Sequence, residues 1–203
     1  MDMEETTVTT TTRVVRPFKI IALILIVLAF IAMIVVLVNS TWIRASGFNQ
    51  GLWSECYNGT RIIPTVESGL PATQTPTEMA CYGAPATAWL SACRALVLLA
   101  LLLTFVAFLL ALWALLRGKR YALFYKIAGV FLFVAALFML VTLAVFPAMS
   151  IQEDVVRFRL NWELAWGYGL GWGAFLLQVA GGILLVFAPD KQEIYYSEKT
   201  YYQ

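Results

Sequence analysis

Three cysteines, nine tyrosines and no histidine bound the chemistry open to this chain. Cys56 and Cys81 stand 25 positions apart, and Cys93 follows twelve later. A cysteine nucleophile needs a base or cation to raise its thiolate fraction, and no imidazole exists to serve. The chain also lacks a cluster with metal-ligand spacing and a nucleophile–base pair. These absences lead us to expect no enzymatic activity, no catalytic residue, no metal and no cofactor. Other modifiable groups are two glycosylation sequons, Asn39-Ser40-Thr41 and Asn58-Gly59-Thr60, and four tyrosines near the C-terminal end, Tyr195, Tyr196, Tyr201 and Tyr202.

What positions these groups is a membrane. The 203 residues are 61% hydrophobic, with a mean hydropathy of +0.79. Hydropathy resolves into four runs, 18–38, 92–116, 124–147 and 164–188. Each has about 20 residues or more, enough at about 1.5 Å per residue to cross roughly 30 Å of hydrocarbon. Backbone groups in lipid must be satisfied within the segment, so the runs are expected to be helices. Lys and Arg gather at Arg13, Arg16 and Lys19 and at Arg117, Lys119 and Arg120, whereas the first long loop carries only Arg44 and Arg61. Cytosolic segments collect these residues. Residues 1–17 and 189–203 are therefore expected to be cytosolic tails, with outer loops at 39–87 and 148–163. The first run is too long for a cleaved signal and no small-x-small site follows it, so it reads as a retained anchor. Met1 to Thr12, acidic and threonine-rich, reads as an unstructured tail. No basic run is dense enough for nucleic acid.

On this topology Cys56 and Cys81 face an oxidising compartment as the only cysteines of their loop, which predicts a disulfide worth about 3–4 kcal/mol in the chain-entropy model. Cys93, at the outer end of the second span, reads as a buried small hydrophobe. Short β-type segments occur at Thr41 to Ala45, Leu52 to Tyr57, Thr60 to Ile63 and Met79 to Tyr82, with Asn58-Gly59 as a hairpin turn. Pro64 to Thr77 reads as an irregular insertion, and Val155 to Leu160 as a further strand. Asn58, further from the membrane than Asn39, is the better glycosylation candidate; its closeness to Cys56 leaves open whether a compact fold hides it.

Span interiors carry almost nothing polar beyond Thr104, Thr142 and Gln178, which argues against a pump or transporter. The fourth span holds two overlapping G-x-x-x-G pairs, Gly167 with Gly171 and Gly169 with Gly173. Small residues one turn apart let helices approach closely in lipid. Packing within the bundle and contact with another molecule both remain open. The tail tyrosines likewise have two readings, as anchors in the inner interface or as phosphorylation sites.

Trp42, then Gly51-Leu52-Trp53-x-x-Cys56 and Cys81, resembles the outer-loop signature of the claudin, peripheral myelin protein and epithelial membrane protein superfamily. Ala92-Cys93-Arg94-Ala95-Leu96 is similar to the motif opening the second span of claudins, whose arginine maps onto Arg94. Asn161-Trp162, the glycine-rich start of the fourth span and Phe146-Pro147 are similar to a narrower branch, that of the adherens-junction brain cell membrane protein and the p53 effector. The resemblance implies a mainly α membrane protein, a left-handed four-transmembrane helix bundle topped by a small extracellular antiparallel sheet, with Arg94 bracing the sheet. It further implies a plasma-membrane protein of adherens or septate junctions that acts in cell adhesion. Implied partners are membrane lipids, further copies or other claudin-like chains, the cadherin–catenin complex and the cortical cytoskeleton. A paracellular barrier or pore and an auxiliary channel subunit are the alternatives. The spacing between the cysteines exceeds that of typical claudins. The terminal Tyr201-Tyr202-Gln203 also lacks the apolar last side chain that a PDZ groove takes.

Overall fold

The computed structural model describes residues 6–13, 18–57, 80–117, 122–152, 161–187 and 194–201. Four helices long and apolar enough to cross a membrane form an antiparallel bundle: α1 (Phe18–Val38), α2 (Ala88–Arg117), α3 (Ala122–Ser150) and α4 (Trp166–Phe187). None is amphipathic in the aqueous sense. Leucine, isoleucine and valine cover the outside of each helix, while small residues line the inside, such as Ala22 and Ala29 on α1 and Ala100, Ala107, Ala111 and Ala114 on α2. That inversion suits a bundle in lipid, where close backbone approach replaces the hydrophobic driving force. The helices pair mainly as α2 with α3 and α1 with α4, and α3 also packs on α4.

Among the described residues the buried core falls into two large clusters in the bundle and a small one on the sheet, Ala45 with Phe48. Of the large ones, one surrounds Trp42, Leu52, Leu90, Met139 and Phe146; the other surrounds Ile26, Ala111, Tyr125, Leu132 and Leu185. Gln178 crosses the bundle as a buried polar contact, donating to the Thr104 hydroxyl at 2.9 Å and to Met33 Sδ at 2.8 Å. Thr104 in turn donates to the Ala100 carbonyl at 2.8 Å, so α1, α2 and α4 meet at one knot.

A five-stranded antiparallel sheet caps one end of the bundle in the order β5-β4-β3-β2-β6. Its strands are β2 (Ile43–Ala45), β3 (Phe48–Gln50), β4 (Ser54–Tyr57), β5 (Ala80–Gly83) and β6 (Glu163–Leu164). A two-residue turn joins β2 to β3, with Gly47 at φ 68° supplying the left-handed backbone. β6 pairs with β2, so the segment expected to open the fourth span is the sheet's edge, and α4 starts at Trp166. The expected strand at Val155 to Leu160 lies outside the described residues. So do the Asn58-Gly59 turn, the Thr60 to Ile63 segment and the insertion from Pro64 to Thr77.

One expectation is corrected outright. Thr6–Arg13 is not unstructured but forms a strand, β1, paired antiparallel with β7 (Ile194–Tyr201) over eight register positions from Thr6↔Tyr201 to Arg13↔Ile194. Low apolar content pointed to disorder. The competing term is the β-branched run of threonines and valine, opposed by isoleucine and tyrosine, which favours extended pairing.

Candidate functional site

Sheet and bundle are joined by a small set of side chains. The Arg94 guanidinium, nearly two turns into α2, donates from Nε to the Leu52 carbonyl at 2.7 Å and from Nη2 to the Ala84 carbonyl at 3.1 Å. It also lies 5.1 Å from the Trp53 ring centroid. The chains that it joins are themselves linked, since the Ala84 N–H donates to the Trp53 carbonyl at 2.8 Å. A planar fork can hold several carbonyls and stack on an indole at once, which an ammonium cannot. Leu52 is fully buried beside Trp42 and Cys93 in the upper core, and Trp53 stays 44% exposed.

Trp42 is the second joint. Its indole N–H donates to the Val36 carbonyl at 3.1 Å, one of the acceptors left open at the end of α1. Its ring packs 4.7 Å from Phe146 and 6.3 Å from Tyr168. Its backbone receives the Ala165 N–H at 2.9 Å and donates to the Gln50 carbonyl at 2.8 Å. The residue thus ties α1, α3, α4 and the sheet together.

Two glycines make this crowding possible. A side chain on Gly51 would overlap the Asn39 carbonyl oxygen and meet the Ser40 Cα at 2.6 Å. One on Gly167 would meet Asn39 Nδ2 and lie 2.6 Å from the Thr41 carbonyl, which accepts the Gly167 N–H at 3.2 Å. The same packing closes the first sequon. Asn39 is buried, its Oδ1 accepting from the Thr41 N–H at 2.7 Å and hydroxyl at 2.6 Å, so the fold as it stands leaves no room for a glycan on its amide. Asn58 lies outside the described residues.

The two G-x-x-x-G pairs divide by face. Gly167 and Gly171 look inward, and a Cβ on Gly171 would meet Leu143 Cδ2 at 2.9 Å. Gly169 and Gly173 would meet nothing within 4 Å and lie on the outside of the bundle.

Cys56 and Cys81 occupy directly opposed positions on β4 and β5 and are joined by a disulfide. Cys93 is a free thiol buried in the core. On the other face of the same strands, Glu55 is almost wholly buried, accepting from Gln50 Nε2 at 3.2 Å and the Tyr57 hydroxyl at 2.9 Å. Tyr195, Tyr196 and Tyr201 lie in β7, and Tyr202 lies outside the described residues. No group of three or more metal-ligating side chains occurs among the described residues.

Sequence reasoning missed Tyr168. Pro147 lies within α3 and has no N–H for the carbonyl four residues earlier, that of Leu143. The Tyr168 hydroxyl donates to that carbonyl at 2.9 Å, so α3 continues past its proline to Ser150. The proline was the available signal, since a carbonyl orphaned in lipid demands a donor.

Residues 17–185 match the model of the PMP-22/EMP/MP20/Claudin family. Over 115 residues the chain is 30% identical to a Danio rerio protein named "p53 apoptosis effector related to PMP-22". That match covers 56% of this chain and 60% of the relative's length.

Proposed function

The chain belongs to the PMP-22/EMP/MP20/Claudin family, and from that premise we propose that it is a non-enzymatic plasma-membrane protein of cell–cell junctions. In this reading the sheet faces the extracellular space and both ends of the chain face the cytosol. The sheet organises adhesion and junction assembly through lateral contacts with like chains and trans contacts with an opposing cell. The cadherin–catenin system and the cortical cytoskeleton are the expected inner associates.

The observation that carries the reading is the anchorage of the sheet. Arg94, Trp42 and the Cys56–Cys81 disulfide hold a projecting antiparallel sheet rigidly on four spans, and a pre-organised surface loses little entropy when it docks. The disulfide fits an extracellular location, because such bonds persist in oxidising compartments. A charge-selective pore is less well supported. Such a pore displays a line of charges of one sign, whereas on the described sheet Glu55 is buried and hydrogen-bonded and the exposed Glu163 stands opposite the exposed Arg44.

The test is imaging of the tagged protein in a polarised epithelium against cadherin and occluding-junction markers. Enrichment at contacts with cadherin supports adherens-junction assembly, and enrichment with occluding markers supports a barrier role. Uniform plasma-membrane staining overturns the proposal.

A further inference from the structure

The ribbon formed by the two ends of the chain lies apart from the anchored sheet. β1 and β7 are separated in sequence by the whole bundle, yet they pair over eight positions. The register sets Tyr195 opposite Thr12, Tyr196 opposite Thr11 and Tyr201 opposite Thr6. All three tyrosines of β7 are therefore held in a hydrogen-bonded ladder. A tyrosine kinase must take its target residue out of such a ladder before it can thread the segment through its own cleft.

We propose that the N-terminal threonine strand is an intramolecular shield for the C-terminal tyrosine strand, so that Tyr195, Tyr196 and Tyr201 become phosphorylation sites only when the ribbon opens. The inference rests on the reading that both ends face the cytosol, where kinases and nucleoside triphosphates are found. In the modification the phenol oxygen attacks the γ-phosphorus of a nucleoside triphosphate. An O–P bond forms, the phosphoanhydride bond to the β-phosphate breaks, the diphosphate leaves, and the phenolic proton passes to the kinase's base.

A two-stranded ribbon suits this task because it is only marginally stable in water. Small changes therefore decide whether it is open. The rate of modification follows the open population when opening is fast relative to the chemistry, as it does for proteolysis of transiently opened segments. Phosphorylation also resists reversal. Each phosphate adds about −1.5 to −2 charges, and the register partners of the three tyrosines are all uncharged threonines. The only cation on β1 is Arg13, opposite Ile194. Repulsion from an anionic inner leaflet would act in the same direction. The shield thus converts an event at the N-terminal end, whether a partner captures the strand or modifies its threonines, into access to the C-terminal tyrosines.

Two measurements on the full-length protein in phospholipid nanodiscs test the proposal. Thr7→Cys with Thr200→Cys places thiols at directly opposed positions, within the Cα separation that a disulfide spans. Thr7→Cys with Lys199→Cys offsets them by one residue, onto opposite faces. The native cysteines do not interfere, because Cys56 and Cys81 are already bonded and Cys93 is buried. Mild oxidation is expected to cross-link the first pair and not the second. Thr9→Pro with Thr10→Pro removes two consecutive N–H groups, at least one of which points into the ladder; Thr9→Val with Thr10→Val keeps both. With a purified tyrosine kinase domain and ATP, initial phosphorylation of Tyr195, Tyr196 and Tyr201, read by peptide mass spectrometry, should rise several-fold in the proline variant. The valine variant should match the unmodified sequence. Equal rates in the proline variant and the unmodified chain, or cross-linking that does not distinguish the two cysteine pairs, overturns the shield. Neither readout depends on where the protein resides in a cell, so loss of the junction assignment and loss of this inference are separate results.

Discussion

The Tyr168 hydroxyl donates to the Leu143 carbonyl at 2.9 Å, the acceptor that Pro147 leaves without its helical donor. One helix thereby repairs another across the bundle, in a setting where water is not at hand to do it. Tyr168→Phe is expected to destabilise the protein by about 1–3 kcal/mol, the cost of leaving a buried acceptor unpaired. Pro147→Ala restores an N–H to the Leu143 carbonyl, so the same Phe substitution should cost much less in that background. Thermal unfolding of the four proteins of this cycle measures the coupling. An undiminished Tyr168→Phe effect in the Pro147→Ala background would contradict the account.

Arg94 offers a second check. It donates to the Leu52 and Ala84 carbonyls and stacks on Trp53, so charge alone should not replace it. Arg94→Lys is expected to lose at least one hydrogen bond of about 1.5–3 kcal/mol and to fail much as Arg94→Ala does. Surface biotinylation in cultured cells, compared with total protein, reads the outcome. Full surface delivery of the Lys variant would show that the fork geometry is dispensable.

Replacing Cys56 or Cys81 with Ala should remove about 3–4 kcal/mol of loop-closure stabilisation and hold the protein in the secretory pathway. The double substitution should behave like either single one, since both remove the same bond. Co-localisation with an endoplasmic-reticulum marker and steady-state surface level test this. Normal delivery of the single variants would place the stability of the sheet in its hydrogen bonds instead.

The glycines of α4 give a contrast within one helix. The Cβ of Gly171→Ala must displace Leu143, whereas those of Gly169→Ala and Gly173→Ala meet nothing within 4 Å. Overpacking of this kind typically costs about 1–3 kcal/mol, so the first should lower the unfolding midpoint while the other two leave it unchanged. Scanning calorimetry in detergent distinguishes them, and equal effects at all three positions would refute the division by face.

Much of this architecture could be read from residue types alone. Four apolar runs predict four helices because lipid admits few alternatives, and two cysteines in one outer loop predict their bond. The loop signature drew attention to Trp42 and Leu52, and the motif opening the second span to Arg94. Their hydrogen bonds, to Val36, Ala84 and one another's neighbours, depend on chain crossings that no local pattern encodes. β3 and β6, with three and two residues, are too short to show alternation, and β6 was hidden in the apolar start of the fourth run. The G-x-x-x-G spacing could not tell inward from outward, because both pairs share one helix and differ only by rotation about its axis. In β1, composition argued for disorder while side-chain branching argued for a strand, and the partner that decided between them lies at the other end of the chain.

Strand pairing and a covalent bond close the stem from which residues 58–79 depart, between Tyr57 and Ala80. The entropic cost of lengthening a closed loop grows only with the logarithm of its length. Substitution or expansion of that stretch is thus insulated from the folding of the four spans. The stem works as a socket in which evolution, or a protein engineer grafting a binding peptide, can exchange the intervening sequence without renegotiating the membrane bundle.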